Sequence, residues 1–449
     1  MSKNTMEAAP ALATTVQEIL ELLAEQPFAV RLPDGTVLPP QPPGTQAEFT
    51  LLLKQPAALR RMLMPPSELA LGESFIFDDY DIEGDLVAAF GLVERLGILP
   101  HSLAKLLSLA RQLWRLEHSG GQVNGARETA RAPFAVYSGD GRLHSQQRDR
   151  QAVQFHYDLS NEFYKLWLDE RLVYSCAYFA AEDESLNTAQ ERKLDRICRK
   201  LALRPGERFL DIGCGFGGLL IHAVTKYGVD GTGISLSEAQ TAEARRRIEA
   251  LGIGDRCRIE IVHYEAFSPD KPFDKIGSVG MFEHVGEKKL PGYFAKAYSM
   301  LRSGGLFLLQ GGASQLDRRH VGRGWMDRLG RGRNAFMQKY SFPDSRVIAI
   351  PTVLKAAELA GFETREVESL REHYVLTLRR WLRRLEAQRE PAVAEVGEVA
   401  YRAWRLVLAG YIYLIEKGQL SEYQSLFAKP LPDGRVSLPL ARETILPTE

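Results

Sequence analysis

Residues 207–218 read ERFLDIGCGFGG, an apolar run that ends on Asp211 and breaks at once into Gly213, Gly215 and Gly217. The helical stretch GGLLIHAVTKYG (217–228) follows directly, so the segment is a strand, a tight turn and a helix. Glycines let the backbone turn sharply and let a ligand lie against the main chain. By itself such a run does not separate nucleotide, dinucleotide and other ligands. A dinucleotide site carries an acid at the end of the next strand to hold the ribose. The next strand here ends in GISLSEAQ (233–240), with Ser235 in that place. NAD is therefore disfavoured. Outward from the turn, further strand candidates are VDGTGISL (229–236), CRIEIVH (257–263), FDKIGSVGM (273–281) and GLFLLQGG (305–312). Helical stretches SEAQTAEARRRIEALG (237–252) and PGYFAKAYSMLRS (291–303) lie between them. The alternation predicts an α/β, Rossmann-like doubly wound sheet, mainly parallel.

A chain of 449 residues exceeds one compact core. Residues 1–120 read as a small α+β accessory domain for substrate, membrane or dimer contacts. It contains an amphipathic TVQEILELLAEQ, a hairpin around Pro33-Asp34-Gly35 and a strand in AEFTLLLK. The stretch LGESFIFDDYDIEGDLVAAFGLVERL reads as closing into a helix. HSLAKLLSLARQLWRL (101–116) suits either a packing helix or an interfacial one. Residues 121–150 are polar and glycine-rich and read as a linker. Residues 151–449 read as a larger α/β domain, with a helix-rich insertion near 315–346 and a helical stretch over 371–428. Lysine plus arginine equals aspartate plus glutamate at 57 each, so global charge points to no nucleic-acid partner. Four cysteines without paired spacing, and no leader or spanning run, predict a cytoplasmic protein.

Six motifs then occur in order: QFHYDLSNEFYKLWLD (154–169), LVYSCAYF (172–179), LDIGCGFGG, GISLSEAQ, GMFEHVG (280–286) and QKYSFP (338–343). Together they resemble the cyclopropane fatty acid synthases and mycolic acid methyltransferases, class I methyltransferases that use S-adenosylmethionine. The resemblance covers about residues 150–425. It implies that Tyr174 and Ser175 touch the methionine end of the cofactor and that Asp211, Gly213, Cys214, Gly215 and Gly217 line it. It places Ser235, Leu236 and Gln240 near the ribose, and Tyr264 and Glu265 beside the adenine. It further implies a catalytic bicarbonate ion, with Cys176, Glu283 and Tyr340 on matching positions. The family's histidine and isoleucine after the fifth strand are here Gln310 and Gly312, in Gln310-Gly311-Gly312. An amide donates but neither carries charge nor shuttles a proton.

The implied reaction methylates the double bond of an unsaturated phospholipid acyl chain. Tyr157, Phe155, Tyr178 and Phe282 are aromatic candidates for shielding the cation that results. Proton loss with ring closure gives a cyclopropane. Loss to an exocyclic alkene gives a methylene branch, which a separate reductase would reduce, and the altered Gln310-Gly312 segment leaves both products open. A lipid binder that has lost catalysis and a small-molecule methyltransferase are the other readings. Basic runs at 318–333 and 377–389 suit a peripheral position on the inner membrane face. A homodimer through the first domain is a further expectation of the resemblance.

Overall fold

The computed structural model describes residues 3–21, 26–64, 67–98, 111–114, 145–157, 160–314, 335–341, 347–436 and 438–441. They fall into two compact units. Unit 1 gathers the described residues up to 114 together with 335–341 and 396–413, and unit 2 holds the rest. Most of 101–116 and the basic run 318–333 lie outside the described residues.

In unit 1, helix α1 (Lys3–Leu20) precedes β1 (Phe28–Arg31) and β2 (Val37–Leu38), which pair antiparallel as the Pro-Asp-Gly turn predicts. Asp34 Oδ1 accepts from the Thr36 N–H at 2.9 Å and sets that turn. β3 (Phe49–Leu53) runs parallel to β1, and α2 (Ala58–Leu63) and α3 (Glu68–Ile76) follow. The stretch expected to close into a helix does so at α4 (Leu86–Ile98), and it also holds an unexpected fourth strand, β4 (Tyr80–Gly84). Tyr80 and Ile82 point inward, while Asp81 is held by Arg402. The buried Arg402 guanidinium donates to Phe75 O, Tyr80 O and Asp81 Oδ2 at 2.7–2.8 Å. Burial alone would raise the Asp81 carboxyl, but Arg402 outweighs it and holds the group below its ordinary value. A short helix, Ala335–Tyr340, packs on α3, where a Cβ on Gly72 would come within 2.3 Å of the Phe336 ring.

Unit 2 is built on β5 (Arg208–Ile212), β6 (Asp230–Ser235), β7 (Cys257–Ile261), β8 (Phe273–Val279), β9 (Leu301–Ser314), β10 (Ile348–Ala349), β11 (Glu363–Ser369) and β12 (Ser421–Ala428). The sheet order is β11-β12-β9-β8-β5-β6-β7, with β10 beside the end of β9. Strands β5 to β9 are parallel, and β12 enters antiparallel between β9 and β11. Helices α5 (Gln146–Tyr157), α6 (Asn161–Lys165), α7 (Leu186–Lys200), α8 (Gly218–Tyr227), α9 (Glu238–Ala250), α10 (Leu290–Met300), α11 (Ile350–Leu359) and α12 (Arg371–Ala387) accompany it. A last helical stretch, α13 (Arg389–Glu416), is interrupted at Gly397, and its residues 396–413 belong to unit 1.

Period-two alternation sends Phe209, Leu306, Leu308 and Leu426 into one apolar cluster. Leu210, Ile212, Phe307, Leu309 and Phe427 enter the other. Both faces are thus covered, which is why these strands read as continuous apolar runs. The long C-terminal helix expected over 371–428 is corrected at its end, since 421–428 is a strand. Its polar residues Ser421, Glu422, Gln424 and Ser425 are buried, so no apolar alternation announces it. Residues 146–157 are helical where a linker ending at 150 was expected.

Candidate active site

The sheet order reverses at β5, and a cleft opens beyond the carboxyl ends of β5, β6 and β8, where such sheets place ligands. It encloses about 1100 Å³, mouth included. Gly213, Gly215 and Gly217 have φ of 83°, 52° and 75°, a conformation that side chains disfavour. A Cβ on Gly213 would also meet Met281 at 2.9 Å. The turn is tied down by the Gly213 and Cys214 N–H groups, which donate to Ile234 O at 2.8 and 3.1 Å. Across from it, Ser237 caps α9 by accepting from Gln240 N at 3.2 Å.

Of the expected cofactor residues, Tyr174, Ser175, Asp211, Gly213, Cys214, Gly215, Ser235, Leu236, Gln240 and Tyr264 line the cleft together. Gly217 stands behind it as the left-handed cap of α8, where a Cβ would lie 3.2 Å from Ala244. Glu265 is held off the wall by Gln146 at 3.1 Å and Lys289 at 2.9 Å.

Lining residues that sequence reasoning missed include Asp149, Lys193, His263, Met281 and His284. Asp149 fell in the expected linker. Lys193 had a readable signal, because it stands on the buried stripe of α7 with Leu186, Ala189, Gln190, Leu194 and Ile197. Its Nζ donates to Ser175 Oγ at 2.8 Å. Burial pulls this ammonium down to about 8, against the opposing pull of Asp169, Cys176, Glu422 and Asp211. Burial also pushes the Asp211 carboxyl up to about 7, with Lys193 opposing.

Two residues past the cleft-lining Met281, Glu283 begins a second constellation. Glu283 is half-buried as a residue, and its Oε1 accepts from the Gly312 N–H at 2.7 Å. Its Oε2 is sealed from solvent and has no hydrogen-bond partner among the described residues. Gln310, wholly buried, donates through Nε2 to Glu422 Oε1 at 3.0 Å and to Cys176 O at 3.3 Å. Its Oε1 accepts from Gln424 Nε2 at 2.8 Å, and Gln424 Oε1 accepts from Lys200 Nζ at 2.9 Å. This ladder follows from register, since Gln424 lies opposite Gln310 and Glu422 opposite Gly312. The Cys176 thiol points to Ala177 O at 3.2 Å, and burial pushes it well above its usual value, so it stays neutral.

Glu422 is the residue of this group that the sequence did not single out. Burial raises its carboxyl, Glu283 adds to the rise, and Gln310 and Lys193 oppose it. Burial likewise raises Glu283, with the Gly312 N–H opposing.

Tyr340 belongs to unit 1, where its hydroxyl donates to Glu73 Oε1 at 2.8 Å and Lys339 pairs with the same carboxylate at 2.6 Å. Of the aromatic candidates, Phe282 is buried in the core cluster. The Tyr178 ring is covered by His373 at 4.2 Å and by the Arg196 guanidinium at 4.2 Å. The side chains of Phe155 and Tyr157 lie outside the description. In the basic run 377–389, Arg379 binds Glu416, Arg380 binds the Glu182 and Glu184 carbonyls, and Arg384 binds Leu168 O. Among the described residues no helix is long and apolar enough to cross a membrane.

The comparisons agree with this geometry. A family model described as mycolic acid cyclopropane synthetase matches residues 144–425. A probable fatty acid methyltransferase of Pseudomonas putida is 36% identical over 401 residues, which span 89% of this chain and 92% of that protein. A probable fatty acid methyltransferase of Mycobacterium tuberculosis is 31% identical over 436 residues, 95% of this chain and 97% of that one. The solved structure of the cyclopropane synthase MmaA2 from M. tuberculosis has a TM-score of 0.59 at 32% identity, covering 64% of this chain and all of that one. A strand-turn-helix cleft with this sheet order, matched over most of the chain, places the protein in the mycolic acid cyclopropane synthetase family of S-adenosylmethionine-dependent methyltransferases.

Proposed function

We propose that the protein methylates the cis double bond of an unsaturated acyl chain in a membrane phospholipid and that the product is a cyclopropane fatty acid. The observation that carries this reading is the sealed, unpartnered Glu283 Oε2 just past the cofactor cleft. A buried carboxylate oxygen without a donor needs one, and a ligand or ion can provide it. Relatives named fatty acid methyltransferases and cyclopropane synthases support the same reading.

S-adenosylmethionine supplies an electrophilic methyl group when bound. Tyr174, Ser175, Asp211 and the 213–217 turn hold its methionine end, Ser235, Leu236 and Gln240 its ribose, and Tyr264 its adenine. An alkene is a weak nucleophile, so the protein contributes by orienting the double bond in a dry pocket. Methyl transfer leaves positive charge on the acyl chain, and a proton must then leave the new methyl for the ring to close. This reading assigns the base to bicarbonate, whose hydroxyl Glu283 Oε2 would hold and which would supply an acceptor for that proton. Gln310 is already committed to Cys176 O and Glu422, so it acts by holding Glu422 in place.

A second reading has the proton lost to an exocyclic methylene, with a separate reductase downstream. It is favoured by Gly312, which puts no side chain between Glu283 and Glu422 and leaves the base freer to reach another hydrogen. Access to lipid calls for a peripheral position on the membrane surface.

The test is turnover of labelled S-adenosylmethionine with vesicles of a monounsaturated phospholipid, followed by proton NMR of the released chains. High-field ring protons support the cyclopropane, and vinylidene protons support the second reading. Unlabelled lipid with tight cofactor binding sinks both in favour of another substrate or a non-catalytic lipid binder.

A further inference from the structure

β12 sets Glu422 directly opposite Gly312, and the residue is only 3% exposed. A Cβ built on Gly312 would lie 3.5 Å from Glu283 Oε1 and 3.8 Å from Glu422 Oε2. Two carboxyl groups therefore flank one small space with no side chain between them. Among the described residues, Lys193 approaches Glu422 from α7, the neutral Cys176 thiol lies toward Glu422, and Tyr293 from α10 faces Glu283. Lys193 is the one cation among these, and Asp169 and Asp211 draw on it as well. Two ionised carboxylates at such closeness in a dry site repel more strongly than one proton costs to retain.

We propose that Glu283 and Glu422 share a single proton at neutral pH, carried by Glu422, so that Glu422 is a positioning residue that keeps Glu283 an anion. The division follows from the donors. Glu283 accepts from a backbone N–H, which favours the charged form. Glu422 accepts from a neutral amide that is also given to Cys176 O. With Glu422 neutral, Glu283 Oε2 remains an acceptor, and a further anion can enter without facing two charges. Once Glu422 ionises, that anion is repelled. Catalytic use of the pair rests on the methyl-transfer reading above; the shared proton does not.

The test has two arms. In the first, turnover on lipid vesicles is followed against pH. The wild type should lose turnover on the alkaline side as Glu422 ionises, and Glu422→Gln, neutral at every pH, should lack that fall. An identical alkaline limb in Glu422→Gln overturns the proposal. So does a Glu422→Gln protein that binds cofactor normally but no longer turns over, because a neutral group at 422 is what is required. The second arm needs no activity and stands even if lipid is not the substrate. Infrared titration should show a protonated carboxyl band at pH 7 that disappears in alkali and is diminished in Glu422→Gln. Equal bands in both proteins overturn the shared proton. Should Glu422→Gln fail to fold, Glu283→Gln serves: without its charged neighbour Glu422 should ionise at lower pH, and an unmoved titration overturns the proposal.

Discussion

From Asp211 to Phe216 the cleft wall is a run of consecutive residues, and Gly213 needs both its positive φ and the absence of a Cβ. The carboxylate end is made of side chains from segments far apart in the chain: Cys176 before α7, Glu283 after β8, Gln310 and Gly312 on β9, Glu422 on β12. The first end takes its shape from local backbone geometry, and Asp211, raised to about 7, is its titrating group. The second exists only through register and packing, and its groups titrate. Binding and chemistry should therefore respond to different perturbations.

Glu283→Gln should widen the separation most. It keeps the shape but removes the charge, so turnover should fall by about 10²–10⁴-fold while calorimetric affinity for S-adenosylmethionine is unchanged. Equal loss of both would break the division. Gly213→Val should do the reverse. A positive φ and a contact inside 3.0 Å with Met281 together cost a few kcal/mol, so cofactor affinity should drop by about 10²-fold. Retained affinity in that variant would show that the turn is not the binding wall. Gln310→His removes the amide that links Gln424 to Glu422 and should change turnover by about tenfold, at the scale of one buried hydrogen bond between neutral groups. Its product ratio, read by NMR, should shift; an unchanged ratio removes this position from product control.

The smallest effect is on stability. Glu422 has a raised folded-state value, so the folded chain holds a proton that the unfolded chain releases. Its contribution therefore declines as pH rises from the ordinary value of 4.5 to about 8. Glu422→Gln should raise the melting temperature at pH 8 relative to wild type and leave less difference near pH 4.5. A constant difference at both pH values would show that Glu422 titrates normally.

The same contrast explains what could be read in advance. The glycine turn and strands β5 to β9 are written in adjacent residues with clear periodicity, whereas Tyr174, Ser175, Gln240 and Tyr264 were placed at the cleft by the family resemblance. β4 was hidden because Asp81 and Glu83 break its apolar pattern, and Asp81 is explained by Arg402 and Arg405, far along the chain. β12 was hidden for a related reason: Glu422 and Gln424 face polar partners on β9, so burial left no hydrophobic trace. Cys176, Glu283 and Gln310 came from family resemblance and not from any local pattern. Glu422 had neither signal.

β12 is also made long after β9, and it fills the place beside that strand. On the ribosome, a nascent chain that has finished β9 has the cofactor turn complete but presents Leu306–Leu309 along an unpaired edge. At about 5–20 residues per second, the roughly hundred residues that separate the strands leave that edge open for several seconds. In that interval half of the carboxylate pair has not yet been synthesised either. The order of translation thus sets an interval in which the chain is prone to mispairing and the carboxylate end is incomplete.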